Sequence, residues 1–573
     1  MNTRKDSIVT SLTPQVHFAT EPELDQAILE LKSGAAKWAS LDLQQRIELL
    51  KATHASIVTV DEAWALAAIA AKGTPAGPLE GEEWMSGPYA TLAGFASTIE
   101  SLEKMAHGQS PLNGIKAGSA PGNRVKFQML PSNLYEYNLF HGFRAELWME
   151  PGISEAEARA SAGLGAKRPG ENGGVGLVLG AGNISAIAPL DALYELVAYN
   201  RVSIIKLNPT FGTLITIYQQ AFAPLIAAGL LRLVNGGAEV GTYLTSHPDI
   251  AHVHITGSGV THDMIVWGST HDKTGTPKLI KPITSELGGV SPIIVIPGNW
   301  SKEDLRFQAE HVATQRLHNG GHNCIAGQAL ILSQDWPQRA EFLAELRAVL
   351  NEVPARTAWY PGSDKKISLA TATYPQAETI NGRMLIEVNQ HTAQDLFNTE
   401  YFAPVLGHTS LPGTGLSFFR AAIEFANTQL DGSLGASIIV APADHKSMGK
   451  AFDEALVELR YGTIGVNVWS AIGFLLPTLA WGAFKGNSLD RVGSGIGVVH
   501  NSHLVERPER NVIWGPFRPF PRSVFHGEFA LSPKPAWFIT ARSAASTAKK
   551  LTAFTAKPSW LKMPAIFMAA FRA

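Results

Sequence analysis

Short apolar runs alternate with longer amphipathic stretches from about residue 174 onward, and this alternation constrains the fold more than any other feature. Short apolar runs are typical of buried strands, and the stretches between them are typical of helices that connect parallel strands. We therefore predict an α/β fold built on mostly parallel sheets. The first group of predicted strands is 175–179, 202–206, 231–234, 252–255 and 293–296, and the second is 329–332, 436–440 and 464–467.

The part of the chain before residue 174 has a different pattern. Apolar residues recur at helical spacing in residues 21–72, so we predict helices there. Residues 108–125 and 162–174 are rich in Gly, Pro, Ser and Asn, which predicts loops on either side of a less regular, aromatic segment. We therefore expect helices in the first part of the chain and the sheets after them.

The composition narrows the classes of protein to which this chain can belong. Its 573 residues are 45% hydrophobic and 17% charged, which argues for folded domains and against disorder. The net charge of −2 gives no reason to expect a nucleic-acid binder. The single cysteine, Cys324, excludes an intramolecular disulfide and a multi-cysteine metal site. The first residues have no long apolar core of the kind that a secretory signal needs, so we expect a cytoplasmic protein.

Charge is distributed unevenly between the C-terminal segment and the rest of the chain. Residues 507–573 contain eleven Lys or Arg and two Glu, a net charge of +9, so the remaining residues sum to −11. Aromatic residues and prolines are interleaved with these cations. Two interpretations follow: the segment covers the acidic body or a neighbouring subunit, or residues 559–573 contact an anionic membrane surface. Its apolar stretches are too short to span a bilayer.

Two glycine-containing turns follow predicted strands, in the position where α/β proteins bind phosphate groups. Gly180 and Gly182 come after the first predicted strand, and Gly257 and Ser258 come after the fourth. Backbone N–H groups at such turns, and the helix that follows, can bind a nucleotide phosphate. The second strand ends in Lys206, where a standard dinucleotide fold would place an acidic residue. Either turn is also consistent with a strand-to-helix connection that simply needs glycine.

Cys324 lies in a segment whose composition suits an exposed and oriented thiol. Two glycines, two asparagines and a histidine precede it in Asn-Gly-Gly-His-Asn-Cys. A lone cysteine is more often a small buried hydrophobic residue, but few buried sites need that sequence, which favours a nucleophile. His322 leaves a Cys/His hydrolase open as a minor alternative. Glu286, beside a Gly-Gly turn and ahead of a buried strand, is a candidate general base.

Together these segments resemble the aldehyde dehydrogenase superfamily. Residues 319–324 resemble the family's cysteine motif, with His322 in the place of a glutamine, and the family's Glu-Leu-Gly-Gly motif is intact at 286–289. The matches occur in the family's order between residues 175 and 497. The remaining matched segments are 181–183, 191–206, 255–258, 399–405 and 427–435.

The resemblance implies oxidation of an aldehyde to a carboxylic acid, with NAD or NADP as hydride acceptor. Cys324 would attack the carbonyl carbon as a thiolate and form a thiohemiacetal and then a thioester. The side chain of Asn183 and the backbone N–H of Cys324 would bind the oxyanion. Glu286 would activate the water that hydrolyses the thioester. The implied catalytic residues are Cys324, Glu286 and Asn183, and no metal is implied.

The resemblance also implies where the cofactor binds. Lys206 would bind the hydroxyls of the adenosine ribose, Glu400 would bind the nicotinamide ribose, and Phe402 would pack beside it. In relatives that prefer NAD a glutamate often follows the lysine by three residues, but here that residue is Pro209, so the choice between NAD and NADP stays open. The full set of implied cofactor residues is Gly182, Lys206, Gly257, Ser258, Leu287, Glu400 and Phe402.

The fold implied by the resemblance has a Rossmann-like NAD(P)-binding domain, an α/β catalytic domain and a small oligomerisation element. We expect residues 1–288 to form the N-terminal helical region and the NAD(P)-binding domain, interrupted by an oligomerisation segment near 125–170. Residues 289–500 would form the catalytic domain, and residues 501–573 a basic, aromatic extension. A homodimer or homotetramer is implied.

The substrate is expected to be a small aldehyde, apolar or aromatic if Trp469, Phe474 and Trp481 line its tunnel rather than pack in the core. Two alternatives stay open. One is a CoA-acylating or acyl-reducing relative, in which a thiol or a hydride rather than water resolves the thioester. The presence of Glu286 argues against it, because that chemistry needs no base to activate water. The other is a catalytically silent scaffold or a membrane-associated protein on the same fold. The joint presence of Cys324, Glu286, Asn183 and Lys206 argues against it.

Overall fold

The computed structural model describes residues 16–389 and 394–573. It places the strands of these residues in two sheets, one of eleven strands and one of six. The strands, in chain order, are β1 (Ala117–Ala120), β2 (Arg124–Leu130), β3 (Arg144–Met149), β4 (Val175–Leu179), β5 (Val202–Leu207), β6 (Leu231–Asn235), β7 (Ile250–Gly257), β8 (Ile283–Leu287), β9 (Ser291–Val295), β10 (Gly327–Ser333), β11 (Glu378–Ile380), β12 (Arg383–Glu387), β13 (Val405–Leu411), β14 (Gly435–Ile439), β15 (Thr463–Val466), β16 (Gly495–Ile496) and β17 (Pro508–Trp514).

Helices lie before, between and after these strands. The α-helices, in chain order, are α1 (Glu21–Ser40), α2 (Leu43–Val58), α3 (Asp61–Lys72), α4 (Gly81–Trp84), α5 (Ala90–Ala106), α6 (Leu134–Leu139), α7 (Glu155–Ser161), α8 (Leu164–Lys167), α9 (Ile187–Tyr199), α10 (Ile215–Ala221), α11 (Ala223–Ala227), α12 (Ala238–Ser246), α13 (Gly259–Trp267), α14 (Lys302–Leu317), α15 (Arg339–Glu352), α16 (Ser363–Thr373), α17 (Gln394–Asn398), α18 (Gly415–Gln429), α19 (Pro442–Met448), α20 (Lys450–Glu458), α21 (Ile472–Leu475), α22 (Arg522–Phe525), α23 (Ala544–Ala556) and α24 (Met563–Ala570).

The six-stranded sheet has the order β16-β8-β7-β4-β5-β6, and its strands from β4 to β8 are parallel. The chain runs from β4 outward to β6 on one side and then continues with β7 and β8 on the other side. This reversal creates a crevice at the carboxyl ends of β4 and β7, where open α/β sheets bind ligands. The predicted Rossmann-like α/β fold is confirmed, and the two glycine turns lie at the same edge of the sheet.

The eleven-stranded sheet has the order β1-β2-β3-β17-β15-β14-β9-β10-β13-β12-β11. Its neighbours from β17 to β12 pair in parallel, and antiparallel pairs extend the sheet at both ends. Each strand predicted from the apolar runs is present in one sheet or the other. Strand β17 comes from the C-terminal extension, yet it lies inside this sheet between β3 and β15.

The N-terminal helices α1, α2 and α3 confirm the helical prediction for residues 21–72. Helix α1 begins after Thr20, which forms a capping box with Glu23, and Pro22 follows in its first turn. Its buried stripe includes Leu24, Ile28 and Trp38, which matches the helical spacing of the sequence. The stripe packs on the six-stranded sheet and covers one of its faces.

The loop prediction for residues 108–125 and 162–174 was wrong where β1 and α8 form. Strand β1 contains Gly118 and Ser119, which disfavour strands when considered alone. It forms because it pairs antiparallel with β2, with Ala117 opposite Phe127. Such pairing depends on the partner strand, and local composition does not reveal it.

The C-terminal extension packs on the body of its own chain. Helix α23 packs on α4, and basic residues of the extension pair with acidic residues of α14. Arg518 Nη2 lies 2.7 Å from Asp304 Oδ2, and Lys534 Nζ lies 2.7 Å from Glu310 Oε2. The basic segment therefore covers acidic groups within one chain.

No helix within residues 16–389 or 394–573 combines the length and the apolarity needed to cross a bilayer.

Candidate active site

The cysteine loop follows α14 and is shaped by residues in left-handed conformations. Asn319, Gly320 and Gly321 have φ angles of 56°, 68° and 85°. A Cβ atom on Gly321 would lie 2.9 Å from the backbone of Ala403, so no side chain fits there. The Asn-Gly-Gly sequence therefore allows the sharp turn that leads the chain back from α14 to Cys324.

The thiol of Cys324 contacts the carboxylate of Glu286, which lies near the end of β8. Its Sγ–H donates a hydrogen bond to Glu286 Oε1 at 3.0 Å, and the indole Nε1–H of Trp481 donates to the same oxygen at 3.1 Å. The other carboxylate oxygen, Oε2, is buried and has no hydrogen-bond partner among the described residues. One oxygen of Glu286 is thus positioned by two donors, and the other can bind a further donor such as water.

Burial raises the pKa of both groups in this contact. The pKa of Glu286 rises to about 7, because the hydrogen bonds from Cys324 and Trp481 only partly offset the loss of solvation. Burial, together with the negative charge of Glu286, raises the pKa of the Cys324 thiol well above its ordinary value. Both shifts favour the protonated form of the group, and the contact places a proton acceptor beside the thiol.

Asn183 lies in the turn after β4 and is hydrogen-bonded to the cysteine loop. Its Nδ2–H donates to the backbone oxygen of His322 at 3.0 Å, and Asn319 Nδ2–H donates to the backbone oxygen of Asn183 at 3.1 Å. Asn183 and Cys324 line the same two cavities. The structure therefore brings together all three predicted catalytic side chains, from β8, the β4 turn and the cysteine loop.

The His322 ring is engaged in structural hydrogen bonds. Its Nδ1 lies 2.9 Å from the backbone oxygen of Asn319, and its Nε2 lies 3.0 Å from the hydroxyl of Ser363. Burial lowers the pKa of His322 to about 3. A neutral ring with both nitrogens occupied cannot take a proton from Cys324, which argues against the Cys/His hydrolase alternative.

A cleft of about 1410 Å³ opens on one side of Cys324 at the carboxyl ends of β4 and β7. Leu287 is a predicted cofactor residue that does not line this cleft in the part of the chain that the structure describes. It is buried, and its backbone N–H donates to the oxygen of Ser494 at 2.9 Å. The predicted cofactor residues that line the cleft are Gly182, Lys206, Gly257, Ser258, Glu400 and Phe402.

Glu400 presents an unused acceptor to this cleft. Its Oε1 atom is buried and has no hydrogen-bond partner within the described part of the chain. Burial raises the pKa of Glu400 to about 8, although the charge of Arg316 lowers it. A Cβ atom on Gly288 would collide with the Glu400 carboxylate, so the Gly-Gly turn after Leu287 makes room for it.

The helix α13 begins at the same cleft, beside the second glycine turn. Ser258 is its N-cap, and the Ser258 hydroxyl accepts a hydrogen bond from the backbone N–H of Thr261 at 3.2 Å. Val260 and Thr261, in the first turn, line the cleft. The positive end of a helix therefore faces the space in which the sequence predicts a pyrophosphate.

An apolar cavity of about 70 Å³ lies on the other side of Cys324. The thiol, Asn183 and Glu286 border both this cavity and the large cleft, so they lie at the junction of the two. The sequence left open whether Trp469, Phe474 and Trp481 line a tunnel or pack in the core. All three line this cavity, together with Trp537 of the extension.

Three contacts of the site were not predicted from the sequence. The bond from Trp481 to Glu286 is one, and the place of Trp537 in the cavity wall is another. The third is Lys72, a fully buried residue whose Nζ–H donates to Glu83 at 2.8 Å and to Asn319 Oδ1 at 3.1 Å. Lys72 attaches the cysteine loop to the N-terminal helices. No motif surrounds Lys72, so the sequence has no signal for a contact between distant segments.

Comparison with known proteins agrees with this geometry. Residues 173–365, which include the β4 turn, Glu286 and Cys324, match the model of the aldehyde dehydrogenase family. Human 4-trimethylaminobutyraldehyde dehydrogenase is 44% identical over 119 residues, which is 21% of this chain and 21% of that protein. The aligned stretches span about a quarter or less of the length of the curated relatives that the chain matches.

Solved structures of aldehyde dehydrogenases share the fold over most of the chain. The γ-glutamyl-γ-aminobutyraldehyde dehydrogenase of Burkholderia cenocepacia has a TM-score of 0.58 at 18% identity, covering 87% of this chain and 89% of that one. A mutant aldehyde dehydrogenase C of Pseudomonas syringae, solved with NAD+ and octanal, has a TM-score of 0.58 at 16% identity, covering 87% and 90%. Residues 173–365 therefore match the aldehyde dehydrogenase family, and most of the chain shares the fold of solved aldehyde dehydrogenases.

Proposed function

We propose that this protein oxidises an aldehyde to a carboxylic acid, with NAD+ or NADP+ as the hydride acceptor. The observation that carries the proposal is the hydrogen bond of 3.0 Å between Cys324 and Glu286 at the junction of a large cleft and an apolar cavity. A nucleophile and a base in contact, with one space for a cofactor and another for an apolar substrate, suit this reaction.

The chain's own residues perform the steps around the carbonyl group. Glu286 accepts the proton of the Cys324 thiol, and the thiolate then forms a bond to the carbonyl carbon of the aldehyde. The amide of Asn183 and the backbone N–H of Cys324 bind the oxyanion that results. Glu286 then releases the thiol's proton to solvent. After oxidation it takes a proton from a water molecule, whose oxygen attacks the thioester carbon and releases the carboxylic acid and the thiolate.

The residues of the cleft fit a nicotinamide dinucleotide. The unpartnered Oε1 of Glu400 can accept hydrogen bonds from ribose hydroxyls, and the half-buried Lys206 can donate them. Gly257 and the first turn of α13 would hold the pyrophosphate, and Phe402 would lie beside the nicotinamide ribose. When bound, the nicotinamide ring accepts the hydride that leaves the carbonyl carbon.

A direct assay tests the proposal and the choice of cofactor. Purified protein is mixed with a panel of aliphatic and aromatic aldehydes and with NAD+ or NADP+, and reduced nicotinamide is followed by absorbance. We expect turnover with at least one of the two cofactors, and mass spectrometry should detect the free acid. A product that requires coenzyme A would show the acylating reaction instead, and no turnover with any aldehyde would contradict the proposal.

We further propose that the extension contacts an anionic membrane surface. Trp560 and Leu561 are 52% and 91% exposed, and no Asp or Glu occurs after Glu528, whereas Lys557 and Lys562 flank these two residues. Exposed apolar side chains between cations suit lipid headgroups. In this proposal the protein is cytoplasmic and associates with the membrane at its periphery.

Sedimentation with vesicles that contain phosphatidylserine tests the membrane contact. The double variant Trp560→Ala/Leu561→Ser is expected to lose vesicle binding. The control Leu369→Ser removes an equally apolar side chain, 48% exposed on α16, and should bind as the wild type does. Wild-type protein that stays in the supernatant, or a double variant with unchanged binding, would contradict the proposal. A change in oligomer size instead would indicate a subunit contact.

The expected homodimer or homotetramer, and the role of residues 125–170 in forming it, stay predictions that light scattering on the purified protein can test. In the proposed division of labour, residues 1–288 hold most of the cofactor, and residues 289–500 carry the nucleophile together with Glu400 and Phe402.

A further inference from the structure

A second apolar compartment adjoins the cavity at Cys324. It has a volume of about 90 Å³, against about 70 Å³ for the inner cavity. The two spaces share four wall residues, which therefore form the partition between them. These are Met85, Ile472, Leu475 and Trp537.

The walls of the outer compartment come largely from the C-terminal extension. Leu551 of α23 and Ile566 and Phe567 of α24 line it. Lys534 also borders it, but its ammonium group pairs with Glu310 at 2.7 Å. The space is therefore predominantly apolar, and it reaches the surface at Leu531, a wall residue that is 49% exposed.

Trp537 is the part of the partition that the extension contributes. Its ring packs edge-on against Phe143, with ring centroids 5.7 Å apart, and it also packs against the cluster of Trp469 and Trp481 beside Cys324. Its Nε1–H is buried without a hydrogen-bond partner among residues 16–389 and 394–573. Packing alone positions the indole, so no polar bond has to break when the ring turns to join the two spaces.

The volumes indicate the size of the substrate. A dry apolar cavity of about 150 Å³ accommodates benzene, so the inner cavity alone suits a chain of only a few carbons. The two spaces joined, about 160 Å³, suit about six carbons, and a longer chain continues through the surface opening at Leu531. The walls of both spaces consist mainly of aliphatic and aromatic carbon. An alkyl chain therefore needs no polar partner in either space.

We propose that the C-terminal extension forms the outer half of the aldehyde site and that the substrate is an unbranched aliphatic aldehyde of at least about six carbons. This inference rests on the proposed function. The aldehyde carbon lies at Cys324, and the alkyl chain runs past Trp537 into the compartment beneath α23 and α24. The extension thus selects the substrate by its length.

The test is a chain-length series with one filling variant and a matched control. For the wild type we expect kcat/KM to rise from acetaldehyde through butanal and hexanal to decanal, by about fourfold for each methylene that becomes buried. Ala570→Phe places a ring in the wall of the outer compartment, and Ala565→Phe adds the same ring to α24 at a residue outside that wall.

The readout is the ratio of kcat/KM for decanal to that for butanal within each variant, so partial loss of folded enzyme cancels. Ala570→Phe should lower this ratio by at least about tenfold, because the alkyl chain then loses apolar burial. Ala565→Phe should leave the ratio as in the wild type. A wild-type ratio near unity, or a ratio that Ala570→Phe does not change, would overturn the inference while the proposed function stands.

Calorimetric titration with decanoate and butyrate separates the two proposals if turnover fails. Decanoate should bind the wild type more tightly than butyrate does, and Ala570→Phe should remove most of that difference. The absence of any turnover would then contradict the proposed function alone. Equal affinity for decanoate and butyrate would overturn the assignment of the outer compartment.

Discussion

Replacing Cys324 with alanine is expected to lower aldehyde-dependent reduction of NAD(P)+ by at least about 10⁴-fold. The chain has no other cysteine, and the bond between sulfur and the carbonyl carbon is the step that the proposed reaction requires. His322 cannot replace the thiol, because both of its ring nitrogens are occupied. Absorbance of reduced nicotinamide, with the aldehyde that the wild type prefers, measures the loss.

Cofactor binding is the control for this variant. The thiol lies at the inner end of the cleft, whereas Lys206, Gly257 and Glu400 line it elsewhere, so Cys324→Ala should still bind NAD+ or NADP+. A rise in Tm on adding the cofactor, equal to that of the wild type, would show this. Turnover within about tenfold of the wild type would show that the carbonyl carbon is attacked by some other group, and the proposed mechanism would be wrong.

The residues proposed to take part in the reaction could be predicted from the sequence, because they lie in short motifs that occur in a fixed order. Cys324 follows an Asn-Gly-Gly turn whose left-handed φ angles only such residues adopt easily, and Glu286 precedes a Gly-Gly turn that makes room for Glu400. These local requirements leave a pattern that can be recognised. The apolar runs identify the strands for a similar reason, since burial on both faces needs continuous apolar sequence.

The rest of the site depends on contacts between segments that are distant in the chain. Trp537 lies in a basic segment predicted as an extension beyond the catalytic domain, and only the fold shows that it reaches the cavity beside Cys324. Strand β17 is similar, because nothing in its composition predicts pairing with both β3 and β15. Lys72 and Asn319 meet through a single hydrogen bond across the interior. Contacts between such distant segments depend on the whole fold, so no local stretch of sequence predicts them.

Replacing Glu286 with glutamine is expected to trap the acyl group on Cys324. Glutamine keeps the size of the side chain and can still bond to Trp481, but it cannot accept a proton from the thiol or from water. Acylation should be slower than in the wild type, and hydrolysis of the thioester should fall by about 10²- to 10⁴-fold. We therefore expect one equivalent of reduced cofactor per active site, followed by almost no further turnover.

Mass spectrometry of the intact variant after mixing with aldehyde and cofactor detects the adduct. The mass should increase by that of the acyl group less one hydrogen, and the modified peptide should contain Cys324. Asp263→Asn, at a buried carboxylate outside both cavities, is the matched control and should show no adduct. Continued turnover of Glu286→Gln at a rate near that of the wild type, with no adduct on Cys324, would contradict hydrolysis by Glu286-activated water.

The pH dependence of kcat should report the protonation of Glu286. Because burial raises the pKa of this carboxyl to about 7, much of it is protonated below that pH and cannot accept a proton. Where hydrolysis limits the rate, kcat should therefore increase with pH through a midpoint near 7 and level off about one pH unit above it. Trp481→Phe removes a donor that favours the carboxylate, so the midpoint of this profile should move to higher pH. A kcat that is flat from pH 6 to 8, or a midpoint that moves to lower pH in Trp481→Phe, would show that Glu286 is not the base.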